Sequence, residues 1–165
     1  MKYLILALFF TFPLISSGQN KSDMKLIKEF YKALYNESIA PQKVVDKYVQ
    51  YADSIQYKTA VDGILNFRNN SEDFFVSLKK DITENKYTLL PYSSFGNTDK
   101  AKFNNIPEES RKGIYKVDLK NGIIPQYVWL DNGKIESFFG FQKPGSDDFY
   151  FIVFKFILSS HWVKF

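Results

Sequence analysis

The Asn132-Gly133 dipeptide constrains the fold of this chain more than any other feature of its sequence. It lies between two apolar runs within Ile123 to Phe141, and Asn-Gly accepts the two positive φ angles that a type I′ turn requires. We therefore predict a β-hairpin with these two residues at its tip. The turn also fixes the strand register, because Leu130 must then face Ile135.

Continuing that register pairs Trp129 with Glu136 and Tyr127 with Phe138. Successive side chains of a strand point to opposite faces, so each face of the hairpin carries apolar bulk. One face is expected to hold Val128, Leu130, Ile135 and Phe139, and the other Tyr127, Trp129 and Phe138. The sequence thus predicts a hairpin that is covered on both sides.

Residues 1–19 have the composition of a secretory signal peptide. Lys2 provides a basic start, Tyr3 to Ile15 form an apolar segment, and Ser16-Ser17-Gly18 supply the small residues that signal peptidase needs. The apolar segment is shorter than the roughly 20 residues that cross a bilayer. We predict cleavage at the end of this leader, which leaves residues 20–165 as a single exported α+β domain in the periplasm or outside the cell.

Composition and charge exclude several classes of protein. The chain has no cysteine, which excludes disulfide bonds, a thiol nucleophile and thiolate metal ligands. Its formal charge is +4, and the lysines are scattered among acidic residues without a basic run, so nucleic acid is not an expected partner. After the leader no apolar stretch is long enough to cross a membrane. No glycine-rich phosphate loop occurs, and we expect no cofactor.

The first half of the chain has the apolar spacing of helices, which repeats at three and four residues. A first helix is predicted to begin at Ser22-Asp23 and to end near Asn36, and Pro41 is suited to the first turn of a second. The segment from Thr59 to Phe67 has helical character despite its glycine. A further helix is predicted after a cap at Asn70-Ser71, with acidic residues in its first turn.

The second half of the chain has the period of strands. Short strands are predicted at Tyr87 to Leu90 and at Gly113 to Lys120, and Phe149 to Leu158 is apolar on both sides, which is typical of a strand in the middle of a sheet. Ser93 to Lys112 is a long polar connection, and a connection of this length is either mobile or functional. Helices followed by hairpin-linked strands indicate an α+β fold.

This order of elements resembles that of the NTF2-like (SnoaL-like, cystatin-like) α+β cone superfamily. The long first helix contains KLIKEFYKALY, two further helices follow, and a strand meander ends the chain. The stretch QYVWLDNGKIESFFGF is also similar to one in small secreted bacterial proteins with that architecture. The resemblance implies N-terminal helices packed on a curved antiparallel sheet with a pocket between them. Enzymes of that superfamily place acid-base residues in this pocket.

Two residues are candidates for acid-base chemistry. Glu136 is expected opposite Trp129, and a carboxylate beside a tryptophan in an apolar pocket suits proton transfer or the binding of a cation. The other explanation, which we favour, is that Glu136 reaches solvent at the end of the hairpin and pairs with a lysine. His161 is the one histidine, and it is either a general base or a half-exposed residue at the end of the last strand. The expected ligand-binding set is Tyr127, Trp129, Glu136 and Phe138.

Other polar residues have simpler explanations. Arg68 and Arg111 each suit either a clamp for an anionic ligand or a place on the surface, and we favour the surface. Gly145 to Asp148 has the oxygen ligands of a calcium site, but a turn with paired acids is the favoured explanation. Ser137 lacks the Gly-x-Ser-x-Gly context of a nucleophile. We therefore expect no metal site.

The sequence favours an exported binding module without catalytic activity, whose partner is a small ligand or a cell-envelope protein. The observation behind this expectation is a pocket-forming architecture without a recognisable catalytic set. The alternative is a pocket enzyme of the isomerase, dehydratase or hydrolase type that uses Glu136 or His161. A homodimer that associates through the outer face of the sheet is a third possibility.

Overall fold

The structure, a computed structural model, describes residues 15–120 and 125–153, with side chains from residue 20 onward. The helices are α1 Ile15–Leu34, α2 Pro41–Tyr48, α3 Ser54–Asn69, α4 Asp73–Thr83, α5 Asn97–Ala101 and α6 Glu108–Arg111. The strands are β1 Tyr87–Pro91, β2 Ile114–Leu119, β3 Gln126–Asp131, β4 Lys134–Ser137, β5 Gly140–Gln142 and β6 Phe149–Phe151.

The predicted α+β class is confirmed. The N-terminal helices precede a four-stranded sheet in the order β1-β2-β3-β4, and every neighbouring pair in it is antiparallel. The strands β5 and β6 form a separate antiparallel pair. Within the described ranges, each helix is too short or too polar to span a bilayer.

The helices agree with the predictions except at their starts. α1 covers Ile15–Leu34 in the described residues, so Ser22-Asp23 lie inside the helix and do not cap it. α2 begins at Pro41 as predicted. α4 begins one residue after Glu72, and the predicted cap residue Asn70 instead accepts a hydrogen bond from the Glu72 amide at 2.9 Å. Short polar side chains suit several positions near a helix start, so composition alone leaves the boundary uncertain by a turn.

The first core lies between the helices and one face of the sheet. The α1 side chains that it buries repeat at three and four residues, as predicted, and they meet alternate side chains of β2, β3 and β4. The members from α1 and the sheet are Ile27, Phe30, Tyr31, Ala33, Leu34, Leu89, Tyr115, Val117, Val128, Leu130 and Ile135, and Phe138 joins them just after β4. This face is therefore the one covered by the helical layer.

A second core covers the opposite face of the sheet. Ile114, Tyr127 and Trp129 point from β2 and β3 into a cluster with Phe95, Phe103, Ile106, Phe149 and Phe151. Both sides of the β3–β4 hairpin are thus covered, as predicted. The segment from Ser93 to Lys112 is not simply a polar connection, because three of its apolar residues are buried here and it forms α5 and α6.

The hairpin turn is confirmed, but the register beyond it is not the predicted one. Asn132 has a φ of 49° and Gly133 a φ of 73°, as a type I′ turn requires. Leu130 faces Ile135 as expected. The next pair joins Trp129 to Ser137, so Glu136 is an extra residue in β4 and forms a β-bulge.

The bulge moves Phe138 to the other face of the sheet. Alternation from the turn predicts Phe138 beside Tyr127, whereas the structure packs its ring against Phe30 and Phe67, at centroid distances of 5.2 and 5.5 Å. One extra residue in one strand reverses the facing of everything after it. The predicted pairing of Trp129 with Glu136 is therefore wrong.

The last predicted strand is also placed differently. β6 covers Phe149–Phe151 and pairs with β5, whereas we expected it in the middle of the main sheet. Its aromatic residues are buried on one side by the second core. Residues 154–165, which include the rest of the predicted strand and His161, lie outside the described residues.

Candidate functional site

A cavity of about 530 Å³ lies between the α3–α4 junction and the strands β3, β5 and β6. Its volume falls within the range of about 300–1,000 Å³ that is typical of small-molecule sites. Aromatic side chains dominate the lining. They are Phe67, Phe74, Phe75, Tyr127, Phe139, Phe141 and Phe149. We call this space the aromatic cavity.

The helix junction supplies one wall of the aromatic cavity. Phe67 lies in the last turn of α3, and Phe74 and Phe75 lie in the first turn of α4. The Phe67 and Phe75 rings meet edge to face at 5.1 Å, and the Phe74 and Phe75 rings are also 5.1 Å apart. Edge-to-face pairs of this kind stabilise beyond their buried area, so this wall is built from mutually supported rings.

A polar cluster closes one end of the aromatic cavity. Lys102 Nζ lies 2.9 Å from Asp99 Oδ1 and 3.3 Å from Tyr127 Oη. The Tyr127 hydroxyl donates to Asp99 Oδ1 at 3.2 Å, and Lys116 donates to Asp99 Oδ2 at 3.0 Å. Of these four residues, Lys102 and Tyr127 line the cavity. We call the group the Asp99 cluster.

The contacts of the Asp99 cluster shift the pKa values of Asp99, Lys116 and Tyr127. Burial alone would raise the pKa of Asp99, but the hydrogen bonds from Lys102 and Lys116 outweigh burial and lower it. The hydrogen bond to Asp99 raises the pKa of Lys116. Burial, and then the nearby charge of Asp99, raise the pKa of the Tyr127 hydroxyl. At neutral pH Asp99 is therefore a carboxylate, Lys116 is an ammonium group and Tyr127 is a neutral phenol.

A second cavity, of about 370 Å³, lies beside the β3–β4 turn and contains Glu136. Glu136 is 1% exposed, so the expectation that it reaches solvent is wrong. Trp129 and Asp23 also line this space. The Tyr115 hydroxyl donates to Asp23 Oδ2 at 2.9 Å, which ties α1 to the sheet near the cavity.

The structure does not bring the four expected ligand-binding residues together. Tyr127 lines the aromatic cavity, whereas Trp129 and Glu136 line the smaller one. Phe138 belongs to the first core because of the bulge. His161 lies outside the described residues. The bulge is thus the physical reason that Phe138 is separated from the rest of the predicted set.

Both arginines serve the fold. Arg68 is 9% exposed, so its expected place on the surface is wrong, and its donors reach backbone carbonyls at the end of α1. Arg111 is partly buried and donates to the carbonyls of Ile106 and Asn104 at 2.7 and 3.2 Å. Each guanidinium therefore stabilises a turn of the chain.

The residues missed from sequence are Asp99 and Lys102. They lie in and just after α5, within the segment that composition describes as a polar connection. The one available signal was the presence of three large apolar residues, Phe95, Phe103 and Ile106, in an otherwise polar segment. These residues anchor the segment in the second core. Their irregular spacing matches neither a helix nor a strand, so periodicity did not identify them.

Comparisons of the chain with protein-family models, with curated proteins and with solved structures find no match. In the part of the chain that the structure describes, no group of three or more acidic or histidine side chains is placed to hold a metal ion. The Gly145 to Asp148 segment instead forms a turn, in which the Ser146 amide donates to the Lys143 carbonyl at 3.0 Å. The homodimer stays a prediction, but the sheet face expected to form it is covered by the second core.

Proposed function

We propose that the protein is an exported, non-catalytic binding module that takes a small apolar ligand into the aromatic cavity. The observation that carries this proposal is a cavity of about 530 Å³ with a mainly aromatic lining and few polar groups. An apolar ligand gains roughly 25 cal/mol for each Å² of apolar surface removed from water. A ligand that fills such a space is bound mainly by this gain.

The exposure of the lining supports the same proposal. Phe67 and Phe149 are buried and provide a fixed floor, whereas Phe74 and Phe139 are only half-buried. Phe141 at the edge is 38% exposed. Apolar surface that stays in contact with water in the free protein is the surface that a ligand covers on binding.

The test is a titration of the purified protein with 1-decanol, followed by calorimetry and by thermal denaturation. A ligand that binds only the folded protein raises its melting temperature. Phe141→Ser removes apolar lining at an exposed position and is expected to weaken decanol binding roughly tenfold. Ile55→Ser is the matched control, because Ile55 is 75% exposed and is not among the residues that line the aromatic cavity.

Two results would count against this function. Equal weakening by the two variants would mean that decanol binds elsewhere. No binding of decanol or of other alkyl and aromatic compounds would favour a cell-envelope protein as the partner. In that case Phe141→Ser should weaken capture of the protein partner and Ile55→Ser should not.

Export is the second part of the proposal. Among the α1 side chains that the structure describes, those that pack into the first core begin at Met24, which follows the expected cleavage after Gly18 or Gln19. The test is N-terminal sequencing of the protein recovered from the periplasm or the medium of a bacterial host. The mature chain is expected to begin at Gln19 or Asn20. Retention of the uncut chain in the cytoplasm would overturn this part.

A pocket enzyme that uses Glu136 is the second candidate function. One observation favours it, namely a carboxyl group that is 1% exposed and lines a cavity beside Trp129. Buried carboxyl groups in such places serve as general acids and bases. Hydrolysis or hydration activity that is lost in Glu136→Gln and kept in Glu109→Gln, at another lining position, would support it. Equal activity of the two variants would count against it.

A further inference from the structure

We propose that the ligand of the aromatic cavity is an amphipathic acid, whose anionic head is held by Lys102 while its apolar body lies among the phenylalanines. This inference rests on the proposed function and adds the chemistry of the head group. Among the described residues that line the cavity, Lys102 is the one charged side chain. The other polar lining residues are Asn66, Gln126, Tyr127 and Gln142. A ligand with a charged end therefore meets a single cation.

The Lys102 ammonium is held in place before any ligand arrives. Its side chain is 19% exposed, and Nζ contacts Asp99 Oδ1 and Tyr127 Oη. It also lies 5.8 Å from the centre of the Tyr127 ring. An ammonium group has three N–H donors, and these two contacts use two of them. One donor is left for a ligand, and little side-chain entropy remains to be lost on binding.

The charge around Lys102 also favours an anion. One carboxylate oxygen of Asp99 pairs with Lys102 and the other pairs with Lys116. A single negative charge is therefore shared between two lysines. Asp118 lies 4.0 Å from Lys116 with a side chain that is 56% exposed, and a charge in contact with water at that distance compensates little. The four side chains of the Asp99 cluster therefore carry two positive charges and one negative charge, and Lys102 brings one of the positive charges to the lining of the aromatic cavity.

A cationic or neutral head lacks this advantage. An alkyl ammonium ion would meet the Lys102 charge at close range, and a like charge in a partly buried site is unfavourable. An alcohol buries the same chain but forms an ordinary hydrogen bond, whereas an ammonium-to-carboxylate hydrogen bond is about twice as strong. The order of affinity for a common chain is thus carboxylate, alcohol and ammonium.

The experiment measures the affinity of the purified protein for decanoate, 1-decanol and decylammonium at neutral pH by calorimetry. We expect decanoate to bind at least about tenfold more tightly than decanol, and decylammonium most weakly. In Lys102→Gln the affinity for decanoate is expected to fall about tenfold and that for decanol to change less than about twofold. Lys102→Arg keeps the charge and should keep the preference for the acid.

Lys86→Gln is the matched control, because Lys86 is exposed and paired with Glu84 outside the cavity. Equal affinity for decanoate and decanol in the unmodified protein overturns the inference and leaves the proposed function standing. A parallel loss for both ligands in Lys102→Gln also overturns it. If none of the three compounds binds, both the inference and the proposed function fail. The comparison of decanoate, 1-decanol and decylammonium in the unmodified protein tests the preference for an acidic head group even if a variant does not fold.

Discussion

Arg68 donates a hydrogen bond from Nε to the carbonyl oxygen of Leu34 at 2.6 Å, and this contact joins the end of α3 to the end of α1. The same guanidinium donates to the carbonyl oxygens of Ile39 at 2.9 Å and of Ala33 and Asn36 at 3.1 Å. The last carbonyls of a helix have no hydrogen-bond partner inside it. A positive charge at this end also interacts favourably with the negative end of the helix dipole. Arg68 is therefore the C-terminal cap of the longest helix in the described ranges.

Replacing Arg68 by methionine is expected to lower the free energy of unfolding by about 3 kcal/mol, because buried carbonyls at the end of α1 lose their donors. The free energy of unfolding of Arg68→Lys should lie between those of the unmodified protein and Arg68→Met, since lysine keeps the charge but lacks the planar guanidinium group. Urea denaturation measures the change. Arg111→Met is the control, because Arg111 makes two such bonds from a partly buried position. If both methionine variants lose the same stability, Arg68 has no special capping role.

Gly113 directly precedes β2 and packs against the backbone of Leu130 in β3. A Cβ at this position would overlap the carbonyl oxygen of Leu130, and the Leu130 amide donates to the Gly113 carbonyl at 2.9 Å. Gly113→Ala must separate the two strands at this point, so we expect a loss of about 3 kcal/mol in the free energy of unfolding. The measurement is again urea denaturation.

Gly96→Ala is the matched control for Gly113. No atom lies within 4 Å of a Cβ at Gly96, and its φ of −69° is open to any residue. A change of less than about 1 kcal/mol is expected, because alanine narrows the unfolded ensemble but is less favourable than glycine at the N-terminal cap of α5, which Gly96 occupies. A larger loss at Gly96 than at Gly113 would mean that the close β2–β3 approach is absent in solution.

The sequence predicted features that depend on local backbone preference. Asn132-Gly133 identified the turn because few other dipeptides adopt two positive φ angles at low cost. The spacing of Ile27, Phe30, Tyr31 and Leu34 identified α1 and its buried face, because helix amphipathicity is visible in a single sequence. These elements then fixed the α+β class.

The bulge at Glu136 could not be predicted in this way. Register is well specified when one face of a strand is apolar and the other polar. This hairpin is apolar on both faces. A shift of one residue in the pairing of β4 with β3 therefore moves each side chain from one buried face of the sheet to the other buried face. Phe138 finds an apolar neighbourhood in either register, and the competition is decided by packing against Phe30 and Phe67. Packing between distant segments is not encoded in local periodicity.

The candidate site was predictable only in part. Tyr127 was identified because it lies on the strand that leads into the Asn132-Gly133 turn. Lys102 was not, because its position depends on how the segment from Ser93 to Lys112 folds over the sheet. That segment is held by Phe103, which packs against Tyr127 with ring centroids 4.9 Å apart, and by a Phe149 amide that donates to the Lys102 carbonyl at 2.7 Å. Such contacts join residues far apart in the chain.

Stability is expected to depend on the ionisation of Asp99. Its pKa is lower in the folded protein, because the hydrogen bonds from Lys102 and Lys116 outweigh the effect of burial. A carboxyl group of this kind contributes stability above its unfolded-state pKa, about 3.9, and the contribution is lost as the pH falls through the folded value. Urea denaturation at several pH values should therefore show a difference between the unmodified protein and Asp99→Asn that is full at neutral pH and shrinks below about pH 4. A difference that does not vary with pH would contradict this origin.

Two buried tyrosines, Tyr35 and Tyr115, are expected to respond in opposite ways to loss of the hydroxyl group. The Tyr115 hydroxyl lies 2.9 Å from Asp23 Oδ2 and 3.2 Å from Asn20 Oδ1. In the described part of the chain the Tyr35 hydroxyl is buried without a hydrogen-bond partner. Because an unsatisfied buried hydroxyl costs desolvation energy, Tyr35→Phe should raise the free energy of unfolding by about 1 kcal/mol. Tyr115→Phe should lower it by a similar amount, and urea denaturation distinguishes the two.

The same pair predicts the behaviour of the protein in alkali. Burial raises the pKa of the Tyr35 hydroxyl, and burial followed by the hydrogen bond to Asp23 raises that of Tyr115. A tyrosine with a raised pKa ionises at a higher pH in the folded than in the unfolded protein, so its ionisation does not affect stability below its unfolded-state pKa, about 10, and lowers stability as the pH rises from there towards the folded value. Tyr35→Phe should therefore lose less stability above about pH 10 than the unmodified protein does. Tyrosinate absorbance and circular dichroism, followed together, measure this, and ionisation of every tyrosine before any loss of helix signal would contradict the buried positions of these hydroxyl groups.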